Sequence, residues 1–136
     1  MTNVDHELVA WRRLVEDAVN AELDRLTALA ADQPALLNEL SALSVVVIDE
    51  APTEEPDLLG IYHGVPVTES ADRSGQLPPL VQIFLMPLVD LATPYEFDHL
   101  DPDIEILRRE TVITVRHEIA HHFGMDHEHL EVLGLA

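Results

Sequence analysis

Residues 117–127 read HEIAHHFGMDH, with two histidines four positions apart and a glutamate directly after the first of them. In an α-helix, residues i and i+4 project from the same side, one turn apart. His117 and His121 can therefore bind one Zn²⁺ ion, since zinc–imidazole bonds measure about 2.0–2.1 Å. Glu118 comes next around the helix, where it can act as a catalytic base on a water molecule without displacing the ligands. The pattern predicts a helix that carries a zinc site.

The residues after His121 indicate a third zinc ligand. Gly124 lets the chain leave the helix and turn back, because glycine readily adopts a left-handed conformation. His127 follows three residues later, so the spacing matches the longer pattern HExxHxxGxxH. The spacing favours His127 as the third ligand, and Asp126 stays open as an alternative. Three protein ligands leave one coordination position for water, as catalytic zinc requires.

Two other interpretations of the histidines are a loose metal site without chemistry and a chance match. The coincidence of helix, glycine and third histidine favours the catalytic site over both. His122 lies about 100° around the helix from His121, so we expect it to be packed or solvent-exposed. We expect His129 to support the ligands or to be solvated, and His6 and His99 to be ordinary surface residues.

Composition limits the class of protein. The chain has 136 residues, of which 47% are hydrophobic, so we expect one globular domain over residues 1–136. It has no cysteine, which excludes disulfides and thiolate metal sites. The formal net charge is −19, and seven arginines supply all the basic side chains. So acidic a surface excludes nucleic acid as a partner and disfavours anionic membranes.

The first residues contain acids and no long apolar run, which is unlike a signal peptide. No stretch approaches the roughly 18 apolar residues of a membrane span. These features predict a soluble cytoplasmic protein. They leave the oligomeric state open.

Hydrophobic periodicity and capping residues predict the secondary structure. Helices are expected at residues 4–30, from Pro34, from Asp101 (N-cap) and Pro102 to Gly124, and at 127–133. Strands are expected at residues 44–48, 58–67 and 80–86, with Pro87 ending or bending the last. We expect an acidic loop at 49–57, a polar turn at 69–79, and either a short helix or a loop at 90–100.

The terminal motif resembles that of the zincins, in its longer metzincin-type form. The chain as a whole resembles a small bacterial family of zinc metallopeptidases with a minimal zincin-like fold. The resemblance covers residues 45–133 and includes LLGIYHGVP at 58–66, the strand at 80–86 and HEIAHHFG at 117–124. It implies an α+β fold with a small mixed β-sheet, an active-site helix packed below it and N-terminal helices. It also implies zinc as cofactor and a peptide or protein substrate, paired with an edge strand for which residues 58–67 are our candidate.

The resulting hypothesis is zinc-dependent hydrolysis of a peptide bond. Zinc would lower the pKa of its bound water and polarise the carbonyl, and Glu118 would move the proton to the leaving amine. Tyr62, His63 and Tyr95 are candidates to stabilise the oxyanion, although each could equally be a packing residue. The alternative from another class is a non-catalytic, zinc-stabilised module that binds a peptide or protein. Four protein ligands on the metal, for example Asp126 and His127 together, would favour that alternative.

Overall fold

The computed structural model describes residues 2–67, 77–94, 101–124 and 127–135, with side chains except those of residues 2–6 and His127. These residues form five helices and three strands. The elements are α1 (Thr2–Leu29), α2 (Pro34–Ala42), β1 (Ser44–Ile48), β2 (Gly60–His63), β3 (Leu80–Phe84), α3 (Leu85–Ala92), α4 (Ile104–His122) and α5 (His127–Val132). Tyr95, His99, most of the turn predicted at 69–79 and part of the ambiguous segment at 90–100 lie outside the described residues.

The predicted N-terminal helices are confirmed. In α1, one stripe of the helix is buried because its residues recur at spacings of four, three and four: Val15, Val19, Glu22 and Leu26. The stripe therefore contains a carboxylate as well as the expected apolar residues. Helix α2 starts at Pro34, whose missing N–H is harmless in a first turn.

The sheet has the order β1-β3-β2. Strand β1 pairs with β3 in parallel and β2 pairs with β3 antiparallel, so β3 is central and the sheet is mixed. Alternate residues of β3 face opposite sides, and Val81 and Ile83 are fully buried in the core that the helices complete. The α+β class with a small mixed sheet is thus confirmed.

Two strands are shorter than predicted. The strand expected at 58–67 covers only Gly60–His63, because Gly64 has a positive φ of 157° and Pro66 has no N–H for a sheet hydrogen bond. The strand expected at 80–86 ends at Phe84. Helix α3 begins at Leu85 and contains Pro87 in its first turn, so this proline lies in a helix where we expected it to end or bend a strand.

The start of α4 also differs from the prediction. Asp103, and not Asp101, is the N-cap: its carboxylate accepts a hydrogen bond from the Ile106 N–H at 3.1 Å. The Asp103 N–H donates to the Ala92 carbonyl at the end of α3, at 2.8 Å. This bond ties the chain before the helix to α3, so the first helical turn starts after Asp103.

Helix α4 contacts α1, α3, β2 and β3 and is the element that joins the layers. Its fully buried side chains include Leu107, Val115 and Ile119. The predicted stop is confirmed, because Gly124 follows the helix with φ of 63° and its N–H donates to the His121 carbonyl at 2.9 Å. Within the described ranges, no helix combines the length and apolarity that crossing a membrane requires.

Candidate metal centre

The two histidines of the motif meet on one side of α4, in its last turns. The Nε2 atoms of His117 and His121 lie 3.1 Å apart. Their rings are perpendicular, with centroids 4.7 Å apart, and both side chains are exposed. The i, i+4 spacing therefore does bring two imidazole nitrogens to one point beside the helix.

This separation fits a metal ion. Two nitrogens that bind one tetrahedral zinc at about 2.0–2.1 Å lie about 3.3 Å apart, close to the observed distance. Imidazole nitrogens suit zinc, and also copper and nickel. The pair therefore fits a transition metal without fixing which one.

Glu118 completes the cluster from the buried side of the helix. One carboxylate oxygen and the two imidazole nitrogens all lie within 4.8 Å of one another. The Glu118 residue is only 8% exposed. Among the described residues, none forms a hydrogen bond with its carboxylate, so both oxygens can serve a water molecule or a metal. A carboxylate in this place can take up a proton beside the metal.

The third ligand lies outside what the structure describes. Helix α5 begins at His127, so the backbone of His127 lies just after the Gly124 turn. The His127 side chain and the whole of Asp126 are outside the described residues, so the choice between them stays a prediction. The His129 ring packs against the Phe123 ring, with centroids 5.6 Å apart.

Arg116, directly before the first histidine, fastens α4 to α1. It donates to the buried Glu22 carboxylate from Nε at 2.8 Å, and Arg25 donates to the same carboxylate at 2.9 and 2.7 Å. Burial alone raises the pKa of Glu22, but the hydrogen bonds from Arg25 and Arg116 outweigh it, so the pKa lies below its usual value. The sequence alone left Arg116 as either a salt-bridge or a solvent-facing residue, and the structure places it in a salt bridge with Glu22.

Two of the three oxyanion candidates, Tyr62 and His63, are engaged with other side chains, and the third, Tyr95, lies outside the described residues. The Tyr62 hydroxyl lies 2.7 Å from His122 Nδ1, and His63 Nε2 lies 2.8 Å from the Gln82 amide oxygen. His122 is packed, with no exposed surface, and its Nε2 lies 3.1 Å from a Glu39 oxygen. Among the described residues, therefore, neither Tyr62 nor His63 points an uncommitted donor at the metal centre.

Sequence reasoning missed the partners of the buried polar groups. Glu22 stands at a core position of the α1 stripe, which was a signal that it needs a partner. The i, i+3 spacing could have indicated Arg25 as one partner, but nothing in the sequence indicated Arg116, which is 94 positions away. The contact between Tyr62 and His122 spans 60 positions and left no local signal.

Comparison with known proteins adds one finding. A family model described as zincin-like metallopeptidase matches residues 40–135, more than two thirds of the chain. The match runs from the end of α2 through α5 and includes the sheet and the candidate metal centre. Among curated proteins, none matches the chain significantly.

Proposed function

Because the chain belongs to the zincin-like metallopeptidase family, we propose that it is a zinc-dependent peptidase. His117 and His121 hold the metal, His127 is the third ligand, and Glu118 is the general base. One observation carries the proposal. Two imidazole nitrogens 3.1 Å apart share one point with a buried carboxylate, and all three atoms lie within 4.8 Å of one another.

Each group of the cluster has a defined task in this proposal. When bound, zinc supplies Lewis acidity, which polarises a carbonyl and lowers the pKa of water toward about 7. Glu118 takes the proton of the attacking water and delivers it to the leaving amine. Its place beside the two histidines supports this role, since none of the described residues competes for its carboxylate.

The substrate in the proposal is an extended peptide. Strand β2 packs against α4 and, within the described residues, has a neighbouring strand only on its β3 side. A peptide can therefore add to the other side of β2 by backbone hydrogen bonds, close to the helix that carries the histidines. The net charge of −19 favours peptides with basic residues.

The first test is metal content. We expect one zinc per chain in the purified protein, and its loss in His117→Ala, His121→Ala and His127→Ala. His63→Ala removes an exposed histidine outside the cluster and should keep the metal. If Asp126→Ala loses zinc and His127→Ala keeps it, Asp126 is the ligand. If the wild type takes up no zinc at all, the proposal is wrong.

The second test separates catalysis from binding. Glu118→Gln should keep its zinc but lose at least about 100-fold in the rate of cleavage, the usual contribution of a general base. A pool of quenched fluorogenic peptides, some rich in arginine and lysine, provides the assay. Full activity in Glu118→Gln would contradict the mechanism. A zinc-loaded wild type that binds peptides without cleaving any would support the non-catalytic binding module instead.

A further inference from the structure

His122 follows a proposed zinc ligand in the chain, yet its ring serves a different set of contacts. The side chain is completely buried. Its Nε2 faces a carboxylate of Glu39, which in its ionised form only accepts hydrogen bonds, so Nε2 carries the hydrogen. In the neutral ring Nδ1 is then an acceptor, and the Tyr62 hydroxyl donates to it at 2.7 Å.

His122 holds the segment around β2 at two points. The Tyr62 side chain is one of them. The other is the His122 carbonyl, which accepts a hydrogen bond from the Val67 N–H at 2.9 Å. Gly64 lies between Tyr62 and Val67 and leaves space for the Tyr62 side chain, since a Cβ on Gly64 would lie 2.6 Å from the Tyr62 hydroxyl oxygen. The chain from Tyr62 to Val67 is thus fastened to the last residue of α4.

The other end of β2 also lies close to α4. A Cβ on Gly60 would lie 2.8 Å from Thr114 Cγ2, so strand and helix approach as closely as a glycine permits. Thr114 is three residues before His117, on the same side of the helix. Strand β2 therefore lies beside the part of α4 between Thr114 and His122, which contains the two candidate zinc ligands.

We propose that His122 is a positioning residue for substrate: through Tyr62 and Val67 it holds the edge strand β2 at a fixed place beside the metal centre, so that a peptide paired with β2 lies across His117 and His121. The inference rests on the proposed function for its substrate. It assigns His122 no contact with substrate or metal. Its effect is on where the substrate backbone lies.

Hydrogen exchange tests the positioning without any substrate. Tyr62→Phe removes only the hydroxyl, and we expect the amides of residues 60–67 to exchange about tenfold faster in it, as for loss of one hydrogen bond. Zinc stoichiometry should not change. Thr111→Val is the matched control, because it removes a buried hydroxyl bond of α4, 2.7 Å long, that does not involve β2. If exchange at residues 60–67 is the same in wild type and Tyr62→Phe, the proposal is overturned.

Rescue separates positioning from simple packing. In His122→Asn, the side-chain amide takes the place of Nδ1 and can still accept from Tyr62, whereas the link to Glu39 is lost. We expect His122→Asn to keep near-wild-type exchange at residues 60–67, and His122→Ala to resemble or exceed Tyr62→Phe. Equal loss of protection in His122→Asn and His122→Ala would contradict a role that acts through Tyr62.

Kinetics on a cleaved fluorogenic peptide give the third readout. Tyr62→Phe should raise KM about tenfold and change kcat less than about twofold, since it weakens substrate placement and leaves Glu118 and the histidines intact. A fall in kcat with unchanged KM would overturn the proposal. If the wild type cleaves no peptide, the proposed function fails, and the exchange experiment still decides whether His122 positions β2.

Discussion

Gly64 shows how much one residue can depend on its neighbours. It has a positive φ of 157°, and a Cβ would lie 2.6 Å from the Tyr62 hydroxyl oxygen and 3.3 Å from Pro79 Cα. The hydroxyl cannot move aside without breaking its bond to His122. We therefore expect Gly64→Ala to lower the free energy of unfolding by about 2–3 kcal/mol, from backbone strain together with the clash. Urea unfolding followed by circular dichroism measures this.

Gly134 provides the control for that measurement. It also has a positive φ, of 70°, but among the described residues a Cβ there would meet only Arg25 Nη1 at 3.6 Å, an ordinary contact. Gly134→Ala should therefore show the conformational cost alone, about 1 kcal/mol. Equal losses in the two variants would mean that the Tyr62 contact has no energetic weight.

The candidate metal-binding residues were the most predictable part of the site. The cluster of His117, Glu118 and His121 depends only on helical spacing, which the sequence states directly. Arg25 lies three positions from Glu22 on α1, within helical reach. Tyr62 as a partner of His122 and Arg116 as a partner of Glu22 could not be predicted, because they lie 60 and 94 positions away and depend on how the elements pack. Local rules describe a helix face, and only the folded chain decides what covers it.

Among the elements, α4 owes its start to Asp103. The Asp103 carboxylate accepts from the Ile106 N–H, one of the amides that lack a partner in a first helical turn. Asp103→Ala should lower the free energy of unfolding by about 1 kcal/mol, the usual value for an N-cap. Thermal or urea unfolding of the zinc-free protein provides the measurement.

Asp101→Ala is the natural comparison, since the sequence pattern predicted Asp101 as the cap. Asp101 is exposed and two residues before the cap. A change within about 0.5 kcal/mol is expected for such a surface site. A larger loss in Asp101→Ala than in Asp103→Ala would contradict the helix boundary described above.

The junction of α1 and α4 depends on the charge of Glu22. The pKa of Glu22 is lowered in the folded protein. The ionised Glu22 carboxylate therefore stabilises the fold fully at pH values above its unfolded pKa of about 4.3. This stabilisation is lost as pH falls below that value and through the folded pKa. The variant Glu22→Gln should lower the free energy of unfolding by about 1.5–3 kcal/mol at pH 7, the range for hydrogen bonds to a charged group, because both arginines left behind are partly exposed.

The test compares unfolding free energies at pH 7 and near pH 3. The gap between wild type and Glu22→Gln should narrow at the lower pH, since the wild-type carboxylate is then increasingly protonated. Glu105→Gln is the control: Glu105 forms an exposed pair with Arg108, and its loss should cost less than about 1 kcal/mol. A gap that does not change with pH would show that ionisation of Glu22 is not what joins the helices.

The boundaries of the elements were less predictable than their existence. Local rules predicted that Pro87 ends or bends a strand and that Pro102 starts a helix, and both predictions were wrong. Pro87 lies inside α3, and Pro102 precedes the cap of α4. A proline excludes some backbone conformations at its own position. Tertiary hydrogen bonds, such as that from the Asp103 N–H to the Ala92 carbonyl, decide which of the remaining conformations the chain adopts.

For the molecule as a whole, the net charge of −19 opposes folding by self-repulsion. Raising NaCl from about 0.02 M to about 0.3 M shortens the Debye length from about 20 Å to about 6 Å, so Tm should rise. A gain of 1 kcal/mol would correspond to about 3–5 °C in a chain of this size. Differential scanning calorimetry in the presence of a chelator measures this without interference from metal binding.

The same salt series on the variant Glu22→Gln, at pH 7, helps to interpret the change in Tm. Salt also weakens the favourable pairs of Glu22, so the variant should gain more Tm from salt than the wild type does. A Tm that falls with salt in both proteins would mean that the described ion pairs outweigh the general repulsion.

The single-domain organisation and the cytoplasmic location stay predictions.

The strand order β1-β3-β2 has a consequence for how the chain is made. The first two strands to leave the ribosome do not pair with each other, because each bonds only to the third within the described sheet. No ladder of this sheet can form until Phe84 has been synthesised, and the helix that covers the sheet comes later still. The nascent chain therefore carries the apolar segment at residues 44–48 unpaired for the next 36 residues of synthesis. During that interval it is a potential site for chaperone binding or for aggregation between neighbouring nascent chains.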